Sequence, residues 1–168
     1  MTKLIIDADT GSDDAVAILM AYRNLSEKDI LGVTIASGNV PLDQGLLNTI
    51  FVNELCDVNV PIYKGANKPL ERDYVEVYKT EEANKIALSY ENYSTSAQHV
   101  HGVDGLGDIG IKPKGNNIEK ETAQEFYSMV LDTEDELEIV TLGPLTNIAE
   151  LVRNNPEKLS KIKHCYIM

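Results

Sequence analysis

The chain has 168 residues, enough for one domain with a substantial core. Its 27 acidic against 15 basic residues give a net charge of −12, which argues against a nucleic-acid or anionic-membrane partner, because phosphate binding needs a basic surface. No apolar stretch approaches membrane-spanning length, and Lys3 is followed by only three apolar residues before Asp7, so neither a span nor a secretory leader is expected and the expected location is cytoplasmic. Cys56 and Cys165 have no ligand spacing; each falls in an apolar pattern and reads as a buried thiol in a reducing compartment.

Leu4–Ile6 reads as a short buried strand, followed by a Thr10-Gly11-Ser12 turn and a helix over Asp13–Arg23. Ile30–Ala36 is a β-branched buried strand. Pro41–Cys56 is a helix, with Pro41 suited to its first turn. Val60–Tyr63 is a short strand ending at Gly65. The stretch from Lys68 to Lys114 differs: it is charged and tyrosine-rich, with weak helical periodicity over Glu81–Tyr90, then a glycine-rich run after His99 and His101, and it reads as a lid or binding-loop insertion. Glu119–Leu131 has an amphipathic helical pattern, Leu137–Leu142 a strand pattern, Leu145–Arg153 a helical one and His164–Met168 a final apolar strand. Strands separated by helices predict an α/β fold, a parallel sheet covered on both faces.

In such sheets ligands bind beyond the carboxyl ends of the strands. Three segments lie there: Asp7–Asp14, Ser37-Gly38-Asn39 and Leu142-Gly143-Pro144. The first holds Asp7, Asp9, Asp13 and Asp14, a cluster that repels itself unless a cation sits among the side chains; hard divalent ions prefer such oxygens. Capping of the helix N-terminus is the simpler reading of Asp13 and Asp14. It does not account for Asp7 and Asp9, which close the strand.

Four motifs in order then carry a resemblance. Residues 7–15 read DADTGSDDA, Gly38-Asn39 follows the second strand, residues 101–107 read HGVDGLG, and residues 142–149 read LGPLTNIA. The chain resembles the N-terminal half of an inosine–uridine-type nucleoside hydrolase, whose opening pattern is Asp-x-Asp-Pro-Gly-x-Asp-Asp-Ala. The resemblance implies a Rossmann-like core, with residues 1–168 as the N-terminal part of a single domain apparently truncated after that half. It also implies Ca²⁺-dependent hydrolysis of the N-glycosidic bond of ribonucleosides. By the same resemblance Asp9 and Asp14 bind calcium with their carboxylates and Leu142 with its backbone carbonyl. Asp13 holds a ribose hydroxyl, Asn39 lies near the water and sugar, and Asp7 supports the site from behind. His101 lies on the base side; without the motif it would read as a loop histidine with no role. Asp9 is the expected acceptor of the water's proton and His101 a contributor to base departure.

Three departures from the family pattern carry expectations. Thr10 replaces a proline and lacks its fixed φ, so a less rigid metal loop is expected. The stretch from Pro69 to His101, with Tyr74, Tyr78, Tyr90 and Tyr93, looks long and bears on base specificity. The chain stops at Met168, before the remaining sugar and calcium residues of the family, so a weak site, an exposed last strand and a partner are expected: a second copy in a homo-oligomer or a complementing C-terminal half. Three other readings compete. A catalytically dead calcium-binding half-domain explains the missing half. A haloacid dehalogenase-type phosphatase would use Asp7 as its nucleophile, but Gly11 stands where that signature has Thr or Val. A plain soluble α/β domain accounts for the composition and not for four ordered motifs.

Overall fold

The computed structural model describes residues 3–68, 70 and 97–168. In chain order it has β1 (Lys3–Ala8), α1 (Ser12–Asn24), a 3-10 turn (Glu27–Asp29), β2 (Ile30–Ile35), α2 (Leu42–Cys56) and β3 (Ile62–Lys64). There follow the one-turn helix α3 (Gln98–His101), β4 (Ile118–Thr122), α4 (Ala123–Thr133), β5 (Leu137–Thr141), α5 (Thr146–Asn154), a second 3-10 segment (Pro156–Lys161) and β6 (Ile162–Ile167). The expected helix over Glu81–Tyr90, the four tyrosines and most of the proposed lid lie outside the described residues.

The six strands form one parallel sheet in the order β4-β3-β2-β1-β5-β6. Strand order reverses at β1, where chain progress toward β2 and β3 on one side gives way to β5 and β6 on the other. Successive side chains of a strand point to opposite faces, and β1 shows this directly. Ile6 and Ala8 join a core with Ile18, Tyr22, Leu42, Leu46 and Ile50 of α1 and α2, whereas Ile5 joins Phe126, Tyr127, Leu131, Ile139 and Leu151 on the α4 and α5 side. Both faces are therefore covered, as a parallel sheet requires.

Helix ends follow local chemistry. Asp13 and Asp14 occupy the first turn of α1 and Arg23 its last, in keeping with the helix dipole. Pro41 lies one residue before α2 and starts it from an extended backbone rather than from inside the first turn. At α4, Thr122 accepts from the Glu125 N–H while the Glu125 carboxylate accepts from the Thr122 N–H at 2.7 Å, a reciprocal capping box. That box corrects one expectation. Ile118–Thr122 is not the first turn of a helix but an edge strand, with Ile118 opposite Ile62 and Thr122 opposite Lys64. Its Glu-Lys-Glu centre is charged, which suits an edge exposed to water.

At the opposite edge, β6 is largely uncovered, with Tyr166, Ile167 and Met168 all more than half exposed. The exposed last strand is as expected. Cys165 is a second correction: it is exposed, because among the described residues β6 pairs only with β5 and its outer side is bare, whereas Cys56 is buried at the end of α2 as anticipated. Within the core, Ile139 is fully buried at the centre of β5. Ile139→Ala is expected to cost about 2–5 kcal/mol in denaturant unfolding, with an unchanged slope, through lost burial and the cavity left behind.

Candidate active site

β1 delivers the acidic turn to the carboxyl edge of the sheet. Asp7 is its last-but-one residue and points into the protein; Asp9 and Thr10 follow, and Gly11 turns the chain into α1. The neighbouring strands close around it. Ala36 donates its N–H to the Ala8 carbonyl at 2.9 Å, which fixes the Ser37-Gly38-Asn39 turn after β2, and Leu142 donates to the Asp7 carbonyl at 2.8 Å, which fixes the turn after β5. All three expected segments meet at one point.

Asp9 is the centre of that meeting. The Asn39 N–H donates to Asp9 Oδ2 at 2.5 Å, and Asn39 Nδ2 reaches Asp9 Oδ1 at 3.3 Å and Asp14 Oδ2 at 3.4 Å. The amide is thus poised between two carboxylates. Gly38 and Gly143 form the walls on either side. A Cβ on Gly38 would lie 2.6 Å from Asp9 Cγ, and one on Gly143 would lie 2.6 Å from Asp9 Oδ1, so any other residue at either position displaces this side chain.

Asp14 caps and confronts at once. Its Oδ2 accepts from the Gly11 N–H at 2.9 Å, so the capping reading holds for this residue, and the same carboxylate faces Asp9. Burial raises the carboxyl pKa of both residues; the charge of Asp9 raises that of Asp14 further and the charge of Asp13 adds to the rise in both, while the hydrogen bonds from Asn39 and Gly11 oppose this without cancelling it. Asp13 departs from the pair: its side chain is exposed and free to meet a ligand from solvent. Leu142 supplies a backbone carbonyl on the turn beside Asp9.

These residues fit a hard cation. Two buried carboxyl groups with raised pKa values lie together, a backbone turn lies alongside, and the two glycines keep side chains away from Asp9. Among the described residues no group of three or more His, Cys, Asp or Glu is gathered to hold an ion by side chains alone. The expected donor set of Asp9, Asp14 and the Leu142 carbonyl is therefore partial, and six to eight oxygens would need water or other groups.

Asp7 behaves differently. It is fully buried, and its Oδ2 accepts from Thr34 Oγ1 at 2.5 Å, Asn147 Nδ2 at 2.8 Å and the Tyr127 hydroxyl at 2.9 Å, while Oδ1 has no hydrogen-bond partner. Burial pushes its pKa up to about 6 against the pull of those three donors, and the charge of Asp9 adds to the rise. A carboxylate so enclosed cannot attack a phosphate arriving from solvent, which removes the residue on which the phosphatase reading depended. Asn147 in turn accepts the Ala66 N–H at 2.8 Å, and the Ala66 carbonyl accepts the Ser37 N–H at 2.8 Å. The turns after β2, β3 and β5 are thereby stitched together behind Asp9. Neither Thr34 nor Tyr127 stood out in the sequence, because each sits in an apolar pattern; a polar atom in such a pattern was the available signal.

Thr10 overturns the expectation of a loose loop. It is fully buried, its hydroxyl lies 2.8 Å from Thr49 Oγ1, and Thr49 Oγ1 donates to the Gly45 carbonyl, so the Thr10 hydroxyl is the donor of the pair. Asn48 Nδ2 bonds the Thr10 carbonyl at 2.8 Å and the Asp104 carbonyl at 2.9 Å. Side-chain bonds to α2 replace the fixed φ of proline, and the same asparagine pins the glycine-rich loop to the acidic turn. His101 is buried at the end of α3, with Nδ1 2.8 Å from Ser12 Oγ and 3.9 Å from Asp13.

A parallel sheet clothed on both faces, with its acidic residues at the strand-order reversal, defines a Rossmann-like α/β protein with a ligand site at the carboxyl edge. The chain belongs to the inosine-uridine preferring nucleoside hydrolase family, whose model matches residues 4–168. Among curated relatives, the pyrimidine-specific ribonucleoside hydrolase RihB of Escherichia coli (strain K12 / DH10B) is 32% identical over 167 residues, 99% of this chain and 47% of that protein. Among solved structures, the purine-preferring ribonucleoside hydrolase from Gardnerella vaginalis superposes with a TM-score of 0.79 at 30% identity, covering 99% of this chain and 48% of that one. An inosine-guanosine nucleoside hydrolase gives a TM-score of 0.75 at 29% identity, covering 100% of this chain and 49% of that one. The chain spans about half the length of the relatives it matches.

The buried Asp7 makes a testable contribution to stability. Its pKa is higher in the folded protein than the ordinary 3.8, so the folded state holds the proton more tightly. Its contribution is intact below pH 4 and is lost as pH rises toward 6, by about 3 kcal/mol in all. With a chelator present, the difference in unfolding free energy between the protein and Asp7→Asn is expected to shift in favour of the variant across that window. A difference that stays flat from pH 4 to 7 would refute the assignment.

Proposed function

We propose that this chain carries the nucleophile-activating half of a Ca²⁺-dependent N-ribohydrolase, acting on ribonucleosides to release ribose and a free nucleobase. The observation that carries this reading is the convergence of Asp9, Asp14, Asn39 and the Leu142 turn at one edge of the sheet, in a chain of this family. Asp9 and Asp14 would hold the cation with their carboxylates and Leu142 with its carbonyl. The chemistry a bound Ca²⁺ supplies is acidification of a coordinated water and orientation of vicinal hydroxyls.

The chain's own residues do the rest. Asp9 accepts the proton of the attacking water. Asn39, already bonded to Asp9 through its N–H and directed at Asp14 through its side chain, holds Asp9 in one orientation and lies beside the water and sugar. Asp13, exposed at the start of α1, binds a ribose hydroxyl. The negative charge around the sugar favours the positive charge that develops there as the bond to the base breaks. His101 acts on the side of the departing base. Base preference is not decided by likeness, because relatives of similar identity are named pyrimidine-specific, purine-preferring and inosine-guanosine hydrolases.

The remaining sugar and metal groups are proposed to come from a complementing C-terminal half or a second copy of the chain, a reading supported by the bare outer face of β6. The free thiols of Cys56 and Cys165 suit a reducing cytoplasm. No helix among the described residues is long and apolar enough to cross a membrane. A catalytically inert calcium-binding module is the second reading, favoured by a donor set that holds only two carboxylates.

Two measurements separate these. Nitrophenyl riboside cleavage that a chelator abolishes, with nitrophenyl phosphate untouched, is the expected result for the enzyme; calcium binding without turnover means the inert module, and turnover of the phosphate ester alone overturns both. In thermal unfolding at pH 7.5, Ca²⁺ at about a hundred times its Kd is expected to add about 3 kcal/mol, read as a rise in Tm of several degrees. Asp14→Asn is expected to abolish that rise. An equal rise in the variant would mean that calcium binds elsewhere.

A further inference from the structure

Ser12 takes no part in the activity described so far, yet among the described residues its hydroxyl makes the hydrogen bond that joins the acidic turn to the imidazole of His101. Ser12 opens α1, immediately before Asp13 and Asp14; His101 closes α3, 89 residues later. Ser12 Oγ and His101 Nδ1 are 2.8 Å apart, a full hydrogen bond. The Asp13 carboxylate approaches the same nitrogen only to 3.9 Å, beyond hydrogen-bond reach. The ring is buried and the serine half-buried, so this bond is shielded from competing water.

A neutral imidazole has one donor nitrogen and one acceptor nitrogen, and the partner of one sets the role of the other. The Ser12 hydroxyl can donate to Nδ1 or accept from an Nδ1–H; when it donates, the proton of the neutral ring lies on Nε2. We propose that Ser12 is a positioning residue for His101: it fixes Nδ1 as the acceptor, so that Nε2–H is the hydrogen-bond donor offered to the departing base. This deepens the reading of His101 given above and rests on it. A second anchor, the Asn48 bond to the Asp104 carbonyl, holds the far end of the same loop, so Ser12 controls the orientation of the ring rather than the presence of the loop.

The test uses the whole 168-residue chain labelled with ¹⁵N-histidine. In the neutral ring Nδ1 is expected to resonate as an unprotonated acceptor and Nε2 as a protonated donor. Ser12→Ala, which removes only an oxygen at a site that tolerates alanine, is expected to mix the two tautomers, and Ser12→Thr to restore the original pattern. Proton on Nδ1 in the parent, or an identical spectrum in Ser12→Ala, overturns the proposal. A kinetic readout accompanies it. Ser12→Ala is expected to lower kcat for a nucleoside by roughly tenfold with KM little changed, a fraction of what a placed general acid contributes, and to spare nitrophenyl riboside, whose leaving group departs without a proton. Equal loss on both substrates means that Ser12 supports the fold of the site rather than the ring, and the proposal falls. Where the chain turns over neither substrate the spectrum alone decides: mixed tautomers in Ser12→Ala uphold the pairing, and an unchanged spectrum overturns it.

Discussion

The carboxyl edge of the sheet is arranged around two buried carboxyl groups, Asp9 and Asp14, brought together at the Asn39 side chain. Two buried carboxylates facing one another are unfavourable in a protein interior unless they share a proton, accept strong donors or bind a cation. The structure supplies part of that compensation through the Asn39 and Gly11 N–H groups and leaves the pKa of both carboxyls raised. Gly38 and Gly143 keep side chains out of the space around them, and Thr10 is tied down from α2. These features hold an unfavourable pair in place, as the proposed cation site requires.

Asp7 shows the contrasting use of the same residue type two positions earlier. It is surrounded by Thr34, Tyr127 and Asn147 and linked through Asn147 to the turn after β3. Its environment makes it an internal fastening for three turns rather than a group that meets a ligand. Strand alternation alone would put Asp7 and Asp9 on the same face; β1 ends at Ala8, and the turn that follows carries Asp9 to the edge while Asp7 stays in the interior.

The strand–turn–helix at the N-terminus, the central strands and, among the described residues, the four α-helices longer than one turn were legible from periodicity, and the three convergent turns followed from the rule for parallel sheets. β4 was not, because Ile118–Thr122 is charged and runs straight into a helical pattern; only the Thr122–Glu125 capping pair marked the boundary. Cys165 looked buried because its strand is apolar, and strand composition does not reveal whether a neighbour covers the face. Contacts between distant residues were out of reach for a different reason. Thr10 with Thr49, Tyr127 with Asp7 and Ser12 with His101 depend on how helices sit on the sheet, which no local pattern encodes.

The place of β1 in the sheet has a kinetic consequence. It is the first strand in the chain but lies at the centre, paired with β2 on one side and, across more than a hundred residues of sequence, with β5 on the other. Pairing over such a separation carries a large loop-closure entropy and is slow to form. During synthesis β1 can pair with β2 early, yet the turn that places Leu142 and Gly143 beside Asp9 does not exist until β5 has emerged. The acidic turn is therefore made long before the strand that completes it, and assembly of its surroundings reports on the pairing of β1 with β5.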